Sequence, residues 1–335
     1  MIARAHSSGT IPGPLLGDPR GRKGHHLCRF PARTIDYCDD RVMRFSRLLP
    51  VLAAATVLLA GCADDPSPSP VMVSFDDGWG QVFVANVDGS GLRQVTPTVA
   101  DDMSDGRYGN YPALSPDGAL LAYTRGGRFI EVVDLESGEV RTVHEGGYHP
   151  VFSPDGSSIA FTGGGGISIM NTDGSDVRVI AREESAAGAT FSPDGSRVAF
   201  NVGGYIVEAP TTGGESKVLL RDQFWNADPE YSPDGATLVF SSNRGGNNGS
   251  EIYSMPAGGG EITRLTETFA VGPAFTPDGS RIFYTRATTQ SGEPVTDTSA
   301  STRPELASMN PDGSDQKRFT PRSITAQGPS IGGGQ

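Results

Sequence analysis

The sequence is short of the side chains that most protein chemistry needs. It has three cysteines, Cys28, Cys38 and Cys62, and five histidines, of which only His144 and His149 follow residue 62. Two histidines leave a metal-ligand cluster, or a site built round a catalytic imidazole, short of members. Beyond residue 61 a single cysteine remains, so that part can form no disulfide of its own. Lysine is nearly missing: Lys23, Lys217 and Lys317 stand against 24 arginines. Basic charge is scarce after the first 61 residues, where the balance is 18 basic against 35 acidic side chains, or −17. A surface that negative repels phosphate backbones and excludes nucleic acid as a partner. Cations, cationic patches on proteins and neutral glycans stay open. Long hydrophobic runs are also lacking. Leu48 to Ala60 is 13 residues, too short to span a bilayer as a helix, which needs about 20.

That apolar segment has a basic start in Met43-Arg-Phe-Ser-Arg47 and ends in Leu59-Ala60-Gly61-Cys62. A basic flank and a small-residue exit are those of a signal peptide. The closing tetrapeptide resembles the bacterial lipoprotein box, in which the cysteine sulfur receives diacylglycerol and the signal is cut just before it. The resemblance implies that Cys62 is the lipid attachment site and the mature N-terminus, exported and held at the cell membrane outside the cytoplasm. Two acyl chains anchor stably where one does not. Residues 1–42 show no periodicity and read as an extension upstream of a start at Met43. Residues 43–61 are the signal, 62–70 a stiff Pro/Ser spacer, and 71–335 one folded domain.

What the chain has in abundance is glycine and proline, 45 and 25 residues, mostly clustered between short apolar runs. That is turn chemistry in an all-β protein. Ser-Pro-Asp-Gly recurs at 115–118, 153–156, 192–195 and 232–235, with Thr-Pro-Asp-Gly at 276–279. The spacing of roughly 40 residues is that of a four-stranded propeller blade. Ser, Pro, Asp and Gly suit the four positions of a type I turn in that order, with the glycine left-handed to close a hairpin. The five aspartates therefore read as turn residues rather than a metal ring. Each turn precedes an apolar triplet such as Leu121-Ala-Tyr123, Ile159-Ala-Phe161 or Val198-Ala-Phe200. A strand apolar at successive positions is covered on both faces. A third strand follows, as in Ile167-Ser-Ile-Met, then a second turn such as Asn171-Thr-Asp-Gly-Ser and a more polar fourth strand.

This repeat resembles the TolB-type or WD40-like (PD40) propeller repeat over roughly residues 71–332. It implies a six-bladed β-propeller of four-stranded antiparallel blades and is nearly silent on activity. Five blades are complete within 111–320. Residues 71–96 supply only three strands, and Gly328-Pro-Ser-Ile-Gly332 aligns with Gly272-Pro-Ala-Phe-Thr276. Pairing that segment beside Val71–Val73 is expected to close the ring with strands from both ends of the domain, leaving no open edge. TolB carries an α/β domain before its propeller, whereas eight residues separate Cys62 from the first strand here. TolB's envelope partners are therefore not carried over.

No catalytic constellation, cofactor motif or metal set emerges. Gly328-Pro-Ser330-Ile-Gly332 matches a nucleophile elbow, but no helix follows to carry the chemistry. Gly163–Gly166 lies between strands and cannot cradle a phosphate as a dinucleotide loop does. Asp101, Asp102 and Asp105 in the connection 97–110 suit either a calcium ion or solvent. The short turns gather on one face of a propeller. The opposite face collects the variable loops, and with them Trp79, Tyr108, Tyr148, His149, Phe224 and Trp225, with Arg125, Arg128 and Arg286 nearby. Exposed aromatics and arginines are typical of binding hot spots, although Phe224 and Trp225 could equally cap the blades beneath them. The expected function is a monomeric, non-catalytic envelope lipoprotein binding a protein or peptide on that face. The alternative is a carbohydrate-binding or carbohydrate-active propeller, with acids such as Asp228 or Glu230 doing the chemistry.

Overall fold

The Ser-Pro-Asp-Gly repeats form the hairpins their turn chemistry predicts. In all five, the Ser or Thr hydroxyl donates to the Asp carboxylate at 2.5–2.6 Å. The same carboxylate accepts a backbone N–H two residues on at 3.0–3.1 Å, and the glycine φ lies between 68° and 73°. These hydrogen bonds hold all five aspartates below the usual carboxylate range. Their lone pairs are spent on the turn.

The computed structural model describes residues 69–97, 109–246, 249–299 and 301–334. Residues 1–68, with the proposed signal and Cys62, and the acidic loop of Asp101, Asp102 and Asp105 lie outside the described residues. The chain runs through β1 (Met72–Asp76), β2 (Val82–Asn86) and β3 (Arg93–Gln94). Five consecutive meanders follow. They are β4–β7 (Gly109–Leu114, Leu120–Arg125, Phe129–Asp134, Val140–Glu145) and β8–β11 (Gly147–Phe152, Ser158–Gly163, Gly166–Asn171, Arg178–Ala181). Next come β12–β15 (Ala186–Phe191, Arg197–Val202, Tyr205–Pro210, Lys217–Leu220) and β16–β19 (Asn226–Tyr231, Thr237–Ser242, Glu251–Pro256, Thr263–Arg264). The last meander is β20–β23 (Ala270–Phe275, Ile282–Thr288, Arg303–Met309, Lys317–Arg318), before β24 (Gln327–Gly332). Six four-stranded antiparallel sheets result, and the sixth has the order β24-β1-β2-β3. The domain is an all-β, six-bladed propeller closed by its first and last strands, as the repeat arithmetic predicts. β3, β19 and β23 are only two residues long, shorter than the polar outer strands of the pattern.

The apolar triplets on β5, β9, β13, β17 and β21 are almost fully buried. A strand flanked by a blade on each side has no solvent face, so alternation disappears. Among the described residues six hydrophobic clusters form, and each combines residues of two adjacent blades. One of them joins Val73 and Phe75 of the first blade to Phe283 and Leu306 of the last. The ring is thus sealed by packing as well as by strand pairing. On one face the two turn sets meet, Thr172 donating through Oγ1 to Gly156 O at 2.7 Å.

Candidate functional site

Each innermost strand, β4, β8, β12, β16, β20 and β24, is interrupted by a bulge against its neighbour. The bulged pairs are Tyr111-Pro112, His149-Pro150, Gly188-Ala189, Asp228-Pro229, Gly272-Pro273 and Gly328-Pro329. The first member of every pair has a positive φ, from 49° at Asp228 to 62° at Gly188 and Gly328. A bulge bends its strand and re-aims the extra residue, here toward the propeller axis. Three blades use glycine, for which this conformation is free. The other three hold tyrosine, histidine and aspartate in it, at about 1–2 kcal/mol each. In four of the six blades the backbone N–H freed by the bulge is captured by the preceding blade. Tyr111 N–H points to Asp76 Oδ2 (3.4 Å), His149 N–H to Thr124 Oγ1 (2.9 Å), Gly272 N–H to Ser241 Oγ (3.1 Å) and Gly328 N–H to Thr285 Oγ1 (3.0 Å). Thr162 holds the corresponding position on β9. Its Oγ1 is the buried side-chain polar atom without a partner among the described residues.

These six positions surround a central channel of about 830 Å³. Its wall carries two tiers of proline, Pro112, Pro150, Pro229, Pro273 and Pro329 above Pro116, Pro154, Pro193, Pro233 and Pro277. Its ionisable residues, Asp76, Tyr111, His149, Asp228 and Glu230, stand with Gln327, Thr298 and Thr302 toward the mouth on the variable-loop face, and Thr190, Thr276, Thr285 and Ser330 also line the wall. The Tyr111 and His149 rings lie 4.6 Å apart. Asp76 is buried at the end of β1 and accepts hydrogen bonds from Gly78 N–H (2.9 Å) and Gln327 Nε2 (3.0 Å). Desolvation nevertheless outweighs these bonds and pushes its carboxyl up to about 6. Glu230 accepts from Thr190 Oγ1 at 2.7 Å, and desolvation raises it to about 7. What Glu230 is exposed to is the narrow channel rather than bulk water, which is why burial dominates. Desolvation also holds the His149 imidazole below its ordinary value, with the Asp228 charge acting in the opposite direction. The Tyr111 phenol is raised by desolvation and then by the charge of Asp76. Among the described residues no Lys or Arg lines the channel, and no three His, Cys, Asp or Glu side chains converge as a metal set.

The residues expected on the variable face divide between its rim and the channel. Trp79, in the β1–β2 loop directly after Asp76, is 67% exposed, and Trp225, three residues before Asp228, is 55% exposed. Tyr148 is also exposed, whereas its neighbour His149 turns into the channel wall. Phe224 is half-buried under the Arg244 guanidinium at 5.4 Å, so it caps the blade. Tyr108 lies outside the described residues. Two of the arginines singled out with these aromatics are engaged by carboxylates. Arg286 is half-buried against Glu305 at 2.6 Å, and Arg125 is held by Glu131 at 2.5 Å, because the third-strand carboxylates must be neutralised where they are buried. Arg128 stays exposed, paired with Glu145. Asp76, Tyr111 and Gln327 escaped the sequence reading. Their signal was present: the residue four before each Ser/Thr-Pro-Asp-Gly turn is Tyr111, His149, Gly188, Asp228 or Gly272. Alternation of glycine with bulky or charged residues at one repeat position marks a special backbone conformation.

No protein-family model matches the chain. A 62-residue stretch is 42% identical to the uncharacterized peptidase YuxL of Bacillus subtilis, covering 18% of this chain and only 9% of that protein. Among solved structures, TolB from Acinetobacter baumannii superposes with a TM-score of 0.61 at 22% identity, over 78% of this chain and 66% of that one. A putative TolB from Agrobacterium tumefaciens gives 0.60 at 19% identity, over 78% and 92%. A chain of a nidogen/laminin complex gives 0.61 at 13% identity, over 78% and 98%. At these identities the likeness is one of fold, the six-bladed propeller.

Proposed function

We propose that this protein is a non-catalytic, lipid-anchored propeller of the cell envelope that receives a segment of a partner protein at the polar mouth of its channel. The observation that carries the reading is the placement of tyrosine, histidine and aspartate at three of six left-handed bulge positions. Glycine serves the fold at the other three, so the fold alone does not require the side chains. Strained backbone that over-determines side-chain position is characteristic of binding and switch sites. Trp79, Tyr148 and Trp225 are exposed and stand within three residues of Asp76, His149 and Asp228 along the chain, so they supply aromatic area for a partner. A chain of the nidogen/laminin complex shares this fold, a precedent for the fold within a protein–protein assembly. Lipid on Cys62 would present the mouth outside the cytoplasm.

The test is site-specific photo-crosslinking of the full chain in cell envelopes. A photoreactive residue at position 148 or 225 should capture a defined protein, and one at position 173, in the turn on the opposite face, should not. Trp79→Ala and Trp225→Ala should weaken the captured interaction by about 2 kcal/mol each, the scale of a hot spot. Equal capture from both faces contradicts the reading.

A second reading, a carbohydrate-active propeller, draws on Glu230. A carboxyl raised to about 7 suits a general acid, with Asp228 on the same strand as its companion. Reducing-end release from a panel of envelope polysaccharides, abolished by Glu230→Gln, would support it over the first.

A further inference from the structure

We propose that the channel mouth selects an organic monocation, the guanidinium or ammonium group of a chain entering from the face that carries Trp225. Resting on the binding reading above, this names the chemistry of the group inserted. The charge inventory of the cavity is one-sided. Asp76, Asp228 and Glu230 line it, and among the described residues no Lys or Arg does. His149 contributes no compensating charge, since desolvation favours its neutral form. An anionic occupant would find no counter-charge, while a neutral one would leave the cost of burying Asp76 and Glu230 met only by hydrogen bonds from Gly78, Tyr111, Gln327 and Thr190. A cation offsets that cost directly.

The occupant is organic rather than a metal ion for two reasons. The carboxylates are distributed around the channel on β1 and β16, and no three ligands converge at one point among the described residues. Calcium needs six to eight oxygen ligands converging at 2.3–2.6 Å. The wall is also largely apolar, with its two proline tiers, and a weakly hydrated guanidinium enters such a space more readily than a compact hydrated ion. The Tyr111 and His149 rings, 4.6 Å apart, add aromatic faces on which a planar or alkylated cation can rest.

Four probes separate the possibilities by calorimetric titration of the full chain. They are an acetylated, amidated pentapeptide with one central arginine, its citrulline and glutamate counterparts, and spermidine. The arginine peptide should bind at least tenfold more tightly than the citrulline peptide and shift the His149 ring resonances, while the glutamate peptide should not bind. Asp228→Asn retains a residue that tolerates positive φ, and Glu230→Gln retains an acceptor for Thr190. Both variants should therefore fold with unchanged circular dichroism, and together they should weaken the arginine peptide tenfold or more. Spermidine, a free polycation, binding more tightly than the peptide would overturn the assignment to a basic side chain, and the reverse would support it. Equal binding of arginine and citrulline peptides, or no effect of the two variants, overturns the inference. If crosslinking at position 225 still captures a partner in that case, the binding reading stands and only the cation is wrong.

Discussion

Removing residues 326–335 tests the closure of the ring, because β24 is the strand that joins the first blade to the last. The deletion strips β1 of four paired positions, from Met72↔Gly332 to Asp76↔Gln327. It also removes Gln327 Nε2 from Asp76 (3.0 Å), Gly328 N–H from Thr285 Oγ1 (3.0 Å), Ser330 Oγ from Leu114 N–H (3.2 Å) and Ala326 N–H from Pro304 O (3.1 Å). At a net worth of about 1 kcal/mol per hydrogen bond, these losses reach roughly 5 kcal/mol or more. Ala326, fully buried, leaves the cluster of Val73, Phe75 and Phe283, and each apolar side chain so uncovered adds about 1.5–3 kcal/mol. The total rivals the whole stability of an ordinary domain, about 5–15 kcal/mol. At about 2–4 °C per kcal/mol for a domain of this size, the truncated protein should melt at least 10 °C lower, or not fold. Any folded fraction should associate through the bared β1 edge. Circular dichroism melting together with light scattering reads both effects. A truncated protein that melts within a degree or two of the parent and stays monomeric would refute the reasoning.

Glu230→Gln should change how stability depends on pH. A folded-state pKa raised to about 7 from 4.5 means that the stabilisation from Glu230 is full below about pH 4.5 and lost as pH rises through 7. The glutamine variant should therefore match the parent near pH 4 and exceed it at pH 8. At 1.36 kcal/mol per unit the gain is at most about 3 kcal/mol, reduced by whatever water enters the channel. Urea unfolding at both pH values measures it, and parallel pH profiles would exclude the desolvation argument. At position 149, glycine should be more stable than alanine by about 0.5–1 kcal/mol, the reverse of an ordinary strand site. The left-handed backbone costs alanine about 1–2 kcal/mol, against about 0.5–1 kcal/mol for the extra chain entropy of glycine. An alanine variant with the higher denaturation midpoint would remove the case for strain. Cys62→Ser should release the protein from membranes, and intact-mass analysis should find the native chain beginning at an acylated Cys62. An unmodified start upstream of Cys62 would count against the anchor.

The repeat carried the fold because each of its parts has a local cause. Ser-Pro-Asp-Gly closes its hairpin with its own side chains, and the apolar triplets report burial on both faces without reference to any distant residue. Even the two-ended closure was legible, since Gly328–Gly332 repeats the Gly272–Thr276 segment. The site was legible only in part. Trp79, Tyr148 and Trp225 could be assigned to the variable face from their loops, but Arg125 and Arg286 looked available there. The partners that engage them, Glu131 and Glu305, stand on the neighbouring strand, and nothing short of strand pairing reveals how far each guanidinium is buried. His149 looked like a surface residue for the same reason. Asp76 lies 251 residues before Gln327, and its weakened acidity, like that of Glu230, arises when strands far apart in the sequence bury the carboxyl beside one axis. Turn geometry and strand burial are properties of short segments, so the sequence by itself determined them. The channel's charge, its strain and the burial of its carboxyls are sums over all six blades, and only closing the ring decided those.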